Sequence, residues 1–268
     1  MKRPFISILT DFGVQTRGIG NMHGVAFSIN SEAKVIDLMH GIRDFDIAAG
    51  AWALETSFFL PVGCHVAVVD PGVGTQRKSI IINTNRGDYL IGPDNGVLIP
   101  ATRILGGCKK AVQIANPNLM RQPVSPIFHG RDVFMPAAAY LSKGTAMEEF
   151  GPLLEFESLT KAPYQDAECK DGKIEAEVIH INKFGSLHFN IRHDVWDGLH
   201  LKKCQAITMG TDGKSLELPY VDTFGEVPKG KPLIMKDDYL RMEAAVNMGN
   251  FSSQYNIKQG ARVMFVKK

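Results

Sequence analysis

Three segments in the first half of the chain set a carboxylate beside glycines: Thr10-Asp11-Phe12-Gly13, Asp70-Pro71-Gly72-Val73-Gly74-Thr75 and Gly92-Pro93-Asp94-Asn95-Gly96. Each follows an apolar run of strand length. In open α/β sheets, ligands bind in the crevice beyond the carboxyl ends of the strands. One Asp-Gly turn is ordinary turn chemistry; three in one domain point to a site rimmed by Asp11, Asp70 and Asp94. Arg77 lies close enough after Asp70 for the two to meet across a tight glycine turn, a pairing that commonly orients a loop. His129, in Phe128-His129-Gly130-Arg131-Asp132, follows a proline-rich stretch and precedes a helical pattern. As one of eight histidines it is, taken alone, more simply structural.

Other chemistries lack their residues. The phosphate loop G-x-x-x-x-G-K-[ST] is missing, and Gly18-x-Gly20 has neither the third glycine nor the preceding strand of a dinucleotide fingerprint. His188 and His193 fall in an expected strand at an offset that would turn them to opposite faces. His40, His65, His180 and His200 show no ligand spacing, so no metal is expected. Cys64, Cys108, Cys169 and Cys204 form no C-x-x-C pair, which suits reduced thiols in a cytoplasmic protein.

The elements that must hold these residues come in two styles. Runs at 5–10, 34–38, 65–69, 79–84 and 89–92 are short and rich in Ile and Val, as buried strands are. Between them, 18–29 and 46–58 carry helical spacing, with Ile47, Ala51, Leu54 and Phe58 on one face. A third helix is expected over 131–142, with Pro136 kinking it or marking its first turn. Strands alternating with helices imply a mostly parallel sheet flanked by helices. From 151 to 172 the chain is irregular, with Pro152, Pro163 and Gly172, and reads as a linker. Beyond it, short strands at 173–182, 187–192, 206–209, 232–236, 241–246 and 261–266, with one short helix near 252–257, suggest a β barrel. The expected organisation is an α/β catalytic domain over 1–160 and a smaller C-terminal β-barrel domain over 173–268.

Composition removes several partners. The 268 residues are 44% hydrophobic and 22% charged, with 30 Lys plus Arg against 28 Asp plus Glu, a net charge of +2. That balance lacks the basic footprint of a nucleic-acid binder. No apolar stretch is long enough to span a membrane. The start, MKRPFISILTDFG, has too short an apolar run for a signal peptide. A soluble cytoplasmic protein without nucleic-acid or membrane partners is expected.

Together these segments resemble the S-adenosyl-L-methionine (SAM) hydroxide adenosyltransferases, relatives of the fluorinating and chlorinating adenosyl enzymes. The matching pieces are the three glycine segments, Phe45-Asp46, Arg77, Phe128-His129-Gly130-Arg131-Asp132, Phe184-Gly185, Asn190-Ile191, Glu243-Ala244-Ala245-Val246-Asn247 and Gly249-Asn250, in order along nearly the whole chain. The resemblance implies a homotrimer with sites between neighbouring subunits, SAM as substrate rather than cofactor, and adenosine plus L-methionine as products. It assigns Asp70, Arg77 and His129 to water activation: Arg77 lowers the cost of forming hydroxide, while Asp70 and His129 orient the water and accept its proton. Halide-using relatives lack that triad. It further assigns substrate binding to Asp11, Phe45, Asp94, Asn95, Asn182, Phe184, Ser186, Asp238 and Val246, with Asp11 on the ribose hydroxyls.

This chain departs from the pattern where the amino-acid end of the substrate is read. Thr16 and Asn182 stand where relatives carry acids, Ser186 where they carry Asn, and Asp238 where they carry Ser. The altered half leaves two other readings open: the same chemistry on another adenosyl or nucleoside compound, and a non-catalytic sensor of adenosyl ligands.

Overall fold

The computed structural model describes residues 4–211 and 213–267, so Met1–Arg3 of the expected first domain and Asp212 and Lys268 of the second lie outside the described residues. The chain divides into two compact units, Met1–Pro163 and Tyr164–Lys268.

In chain order the first unit contains β1 (Phe5–Thr10), α1 (Arg17–Ile29), β2 (Lys34–Met39), α2 (Ile47–Leu54), β3 (Cys64–Val68), β4 (Ser79–Thr84), β5 (Tyr89–Pro93), α3 (Ile99–Ile104), β6 (Cys108–Gln113), α4 (Met135–Lys143) and β7 (Leu153–Leu154). Its seven-stranded sheet runs β2-β1-β3-β5-β4-β6-β7. The pairs from β2 to β5 are parallel, and those from β5 to β7 antiparallel. The sheet is therefore mixed, where the sequence suggested mostly parallel. The reason is local: Thr84 N–H donates to Asp88 O (2.9 Å), closing a tight turn, and so short a connection can only return antiparallel. β6 escapes sequence reading because Lys109 and Lys110 interrupt its apolar pattern.

Helix boundaries follow their caps. Thr16 accepts the Gly18 N–H and starts α1; Asp46 accepts the Ala49 N–H and starts α2. After Leu54 the chain tightens into a 3₁₀ turn, which shifts the helical period and leaves Phe58, expected on the buried face, exposed. α1 and α4 pack together over Ile6, Ile8, Val66 and Val68. α4 is preceded by a π-helical turn, Gly130–Phe134, and Pro136 falls in its first turn, where its missing N–H costs nothing. The segment read as a linker is partly fastened: β7 pairs with β6, and Thr160 N–H donates to Asp94 Oδ1 at 2.8 Å.

The second unit contains β8 (Cys169–Lys170), β9 (Lys173–Ile181), β10 (Leu187–Arg192), α5 (His193–Asp197), β11 (Ala206–Thr211), β12 (Lys214–Pro219), β13 (Pro232–Lys236), β14 (Arg241–Val246), α6 (Phe251–Tyr255) and β15 (Arg262–Lys267). All its named pairings are antiparallel, in the order β12-β11-β15-β9-β10-β14-β13. Tyr220, just past β12, bridges to Ile234 on β13, so the sheet is a nearly closed barrel. Phe189, Trp196, Phe251 and Phe265 fill its core. Because β10 stops at Arg192, His193 belongs to α5, and strand alternation does not separate it from His188. Both approach Asp237, His188 Nδ1 at 3.0 Å and His193 Nε2 at 3.8 Å.

Candidate active site

Strand order fixes where a site can form. β1 is followed in sequence by β2 on one side, while β3 lies on its other side, so the order reverses between β1 and β3. Such a switch point opens a crevice at the carboxyl ends of the strands. Asp11 and Asp70 emerge there, Asp11 tied to the β3 end by its N–H on Val68 O (3.4 Å).

The turn from Asp70 to Arg77 is built by its own backbone. Val73 N–H donates to Asp70 O (3.2 Å), Thr75 N–H to Gly72 O (3.2 Å), and the Thr75 hydroxyl to the same Gly72 oxygen (2.7 Å). Gly74 has φ +78°, and a Cβ there would stand 2.6 Å from Pro126 O. Only glycine lets this turn lie against the segment that leads into His129.

The folded turn brings Arg77 back onto Asp70, and the first unit brings His129 to the same guanidinium. Arg77 Nε donates to Asp70 Oδ1 (2.9 Å) and Nη2 to Asp70 Oδ2. Nη2 also donates to His129 Nδ1 at 2.9 Å. Nη1 donates to Ser79 Oγ (2.8 Å) and Lys78 O (3.2 Å). All five guanidinium N–H bonds are thus engaged. Phe134 lies beneath, its ring centre 5.2 Å from the guanidinium carbon.

The acceptor role of Nδ1 determines the state of His129. A guanidinium keeps its protons, so Nδ1 must be unprotonated, and the neutral ring carries its hydrogen on Nε2. Burial and the Arg77 charge together hold its pKa below the ordinary histidine value, outweighing Asp70 and Asp132. Asp132 fastens the loop ahead of His129 by accepting from Arg131 Nε (2.7 Å) and Ser125 N–H (2.9 Å). Although burial raises its pKa, these bonds hold its carboxyl below the usual range.

The other predicted residues sort differently. Burial pushes the Asp11 carboxyl up despite the Phe45 N–H on Oδ2 (3.1 Å), with Asp44 and Asp70 adding to the rise. Phe45 sits at φ +63° with 69% of its surface exposed, an unusual conformation for a large residue. Asp94 is taken up by Thr160. Asn95 donates to Val69 O (2.8 Å) and accepts the Val97 N–H, so both side chains fasten loops behind Asp70. Thr16 is spent as the cap of α1.

In the second unit Asn182 closes its own turn, Phe184 is 66% exposed, Ser186 is buried beside Glu243, and Asp238 is exposed. Val246 is buried. Its side chain lies in the barrel core, held where a Cβ on Gly249 would meet it at 2.5 Å. Ser79 and Phe134 were not picked out by sequence, and Asp132 only as the end of its motif: a serine opening a strand and a phenylalanine entering a helix carry no signal of the cation they surround. Among the described residues no cluster of three or more His, Cys, Asp or Glu side chains could hold a metal ion, and no helix is long and apolar enough to cross a membrane.

Known proteins resemble the chain over nearly its whole length. The N-terminal domain of the SAM hydroxide adenosyltransferases matches residues 6–151, and their C-terminal domain matches 176–264. A Salinispora tropica protein named (R)-S-adenosyl-L-methionine hydrolase is 32% identical over 97% of both chains. A protein of the same name from Methanocaldococcus jannaschii is 36% identical over 70% of this chain and 67% of its own. An uncharacterized conserved protein from Thermotoga maritima has a crystal structure that superposes with a TM-score of 0.91 at 30% identity, covering 98% of this chain and all of that one.

Proposed function

The chain belongs to the SAM hydroxide adenosyltransferase family, and from that premise we propose that it hydrolyses SAM at the Asp70–Arg77–His129 cluster. It is an enzyme that splits the C5′–S bond of SAM with water, giving adenosine and L-methionine. The substrate suits so small a set of groups: C5′ beside a sulfonium is electrophilic, and the leaving group is a neutral thioether. What the protein must supply is a water held in line behind C5′ and a place for its proton.

The observation that carries the reading is the saturated guanidinium of Arg77. With all five N–H bonds committed, Arg77 acts as the rigid charged frame that holds the other two groups, and its positive charge favours a developing hydroxide. His129, with its hydrogen on Nε2, donates to the water oxygen. Each Asp70 oxygen keeps a lone pair beyond its bond to Arg77, and Asp70 takes the proton. In this assignment His129 orients the water without accepting from it, a refinement of the role the resemblance gave it. The water oxygen bonds C5′ as the C5′–S pair withdraws to sulfur, and the proton passes through Asp70 to solvent. In H₂¹⁸O the adenosine 5′-oxygen should carry the label in every turnover, read by mass spectrometry. Unlabelled adenosine, or a depurinated product, would overturn the reaction assigned.

Asp11 receives the ribose hydroxyls, and the exposed Phe45 ring flanks the nucleoside. The remainder of the site comes from the barrel domain of a neighbouring subunit in a homotrimer, through Phe184, Ser186 and Asp238. Support for this lies in the resemblance and in the solvent exposure of Phe45 and Phe184, large rings that a partner surface would cover. Asp238 is the acid that answers the substrate ammonium in place of those missing at Thr16 and Asn182. Activity should then fall with dilution as light scattering reports loss of trimer, and a fully active monomer contradicts the arrangement.

A further inference from the structure

The barrel domain contains a buried polar chain to which the hydrolysis assigns no task. His188 stands on β10 with 4% of its surface exposed, paired across the sheet with Glu243 on β14 and His180 on β9. Its Nδ1 lies 3.0 Å from Asp237 Oδ2, and its Nε2 3.3 Å from Asn182 Nδ2. The groups at its two ends each hold a turn. Asp237 Oδ1 accepts the N–H bonds of Tyr239 (2.8 Å) and Arg241 (2.7 Å). Asn182 Oδ1 accepts those of Phe184 (3.0 Å) and Ser186 (3.1 Å).

These bonds leave one consistent arrangement of hydrogens. Because its oxygen is occupied by two backbone donors, Asn182 turns its amide nitrogen to the ring, and an amide nitrogen only donates. His188 Nε2 therefore accepts, and Nδ1 carries the hydrogen donated to Asp237. The surroundings are dense in polar groups: the His180 ring is 5.7 Å away, His193 approaches Asp237 from α5, and Ser186 is hydrogen-bonded to Glu243.

We propose that His188 is a positioning residue for substrate, coupling the 182–186 turn that carries Phe184 and Ser186 to the 237–241 turn that carries Asp238 through a relay with one polarity, carboxylate at 237 and amide at 182. The inference rests on the reading of those two turns as the barrel's share of the SAM site. The relay sets the separation and orientation of groups that meet the substrate, and it touches no reacting atom. Its loss should appear in KM rather than kcat.

Reversing the polarity tests it. In Asp237→Asn the remaining oxygen still closes its turn, while an amide N–H now faces His188 Nδ1. The ring must then carry its hydrogen on Nε2, donor against donor at Asn182. KM for SAM should rise about tenfold or more with kcat changed less than about threefold. Asn182→Asp alone should also raise KM, because it sets a carboxylate against the accepting Nε2, whereas an acid that merely answered the substrate ammonium would lower it. Combined with Asp237→Asn it gives Nε2–H an acceptor again, and the double variant should return to within about threefold of the wild-type KM. His188→Phe keeps the ring volume but should raise KM in every background. Where Asp237→Asn does not fold, Asn182→Asp alone against the double variant carries the test, since the second change must lower KM.

An unchanged KM in Asp237→Asn, or losses that add in the double variant, overturns the relay while the hydrolase reading stands. Wild-type protein that leaves SAM intact overturns the functional reading first and the relay with it.

Discussion

Arg77→Ala should lower kcat by about 10²–10⁴-fold, while KM for SAM changes only a few-fold. The expectation follows from how much one side chain holds. Arg77 fixes both Asp70 oxygens, His129 Nδ1, Ser79 Oγ and Lys78 O. Without it, Asp70 loses its orientation and His129 loses the donor that keeps its hydrogen on Nε2. Arg77→Lys should recover little, because an ammonium cannot reproduce a bidentate planar fork. Asp70→Asn should be as damaging as Arg77→Ala, since it removes the proton acceptor and preserves the shape. His129→Ala should cost less, having lost an orienting donor only. The acid limb of kcat for the wild type should lie below the ordinary histidine value of about 6.5, in the direction that burial and Arg77 push His129. Single-turnover kinetics across these variants decides the matter: near-normal turnover of Arg77→Ala or Asp70→Asn would remove the cluster from the chemistry.

The second large effect concerns stability and lies away from the proposed reacting groups. Asp88 is fully buried at the β4–β5 turn. Its carboxylate accepts from His65 Nε2 (3.1 Å), Gly63 N–H (3.1 Å), and Arg86 Nε (2.7 Å) and Nη2 (3.0 Å). His65 in turn has Nδ1 2.8 Å from the Ser7 hydroxyl on β1. Ser7, His65 and Asp88 thus follow the order of a hydrolytic triad, yet Ser7 is 1% exposed and His65 fully buried, so the chain ties β1, β3 and the hairpin together instead. Asp88→Ala removes the carboxylate from the His65 ring and the Arg86 charge, leaving Arg86 its bonds to Phe58 O and Ser57 O, and should cost about 3–5 kcal/mol, measured by urea unfolding. A loss below about 1 kcal/mol would show that the cluster contributes no more than a surface pair.

The pH dependence has a definite sign. Burial raises the Asp88 pKa, but the bonds from His65, Arg86 and Gly63 outweigh it and leave the carboxyl far below its ordinary value. A carboxylate depressed in the folded state stabilises fully above the unfolded pKa of about 3.9 and less as pH falls further. The gap between wild type and Asp88→Ala should therefore hold from neutrality to about pH 4 and narrow below it.

Much of the architecture was legible in residue order. Five apolar runs gave five strands of the first sheet, and Asp11 and Asp70 were recognisable as strand-end carboxylates because the runs stop at them. The turn from Asp70 to Arg77 was also readable, since glycines at Gly72 and Gly74 let a short segment fold back on itself. The change from alternating helices to closely spaced strands marked two domains. These features are local: period, turn chemistry and chain length act over a few residues, and the sequence carries them directly.

Partnership across long separations was decided only by the tertiary structure. Period tells which side of a strand is buried, but not which strand comes next or in which direction, so β4, β6 and β7 made mixed a sheet expected to be mostly parallel. Neither composition nor spacing could show that His129 meets the guanidinium of Arg77, or that the guanidinium has no N–H left to offer. Asn182 read as a weakened substrate contact, yet its amide is engaged by Phe184, Ser186 and His188. Val246 was assigned to the substrate by resemblance, and its side chain lies in the barrel core. In each case the side chain's chemistry was plain in the sequence. Its role depended on which donors and acceptors the fold brought within 3 Å or so, because a hydrogen-bonding group spends its capacity on whatever partner is nearest, and folding alone sets that distance.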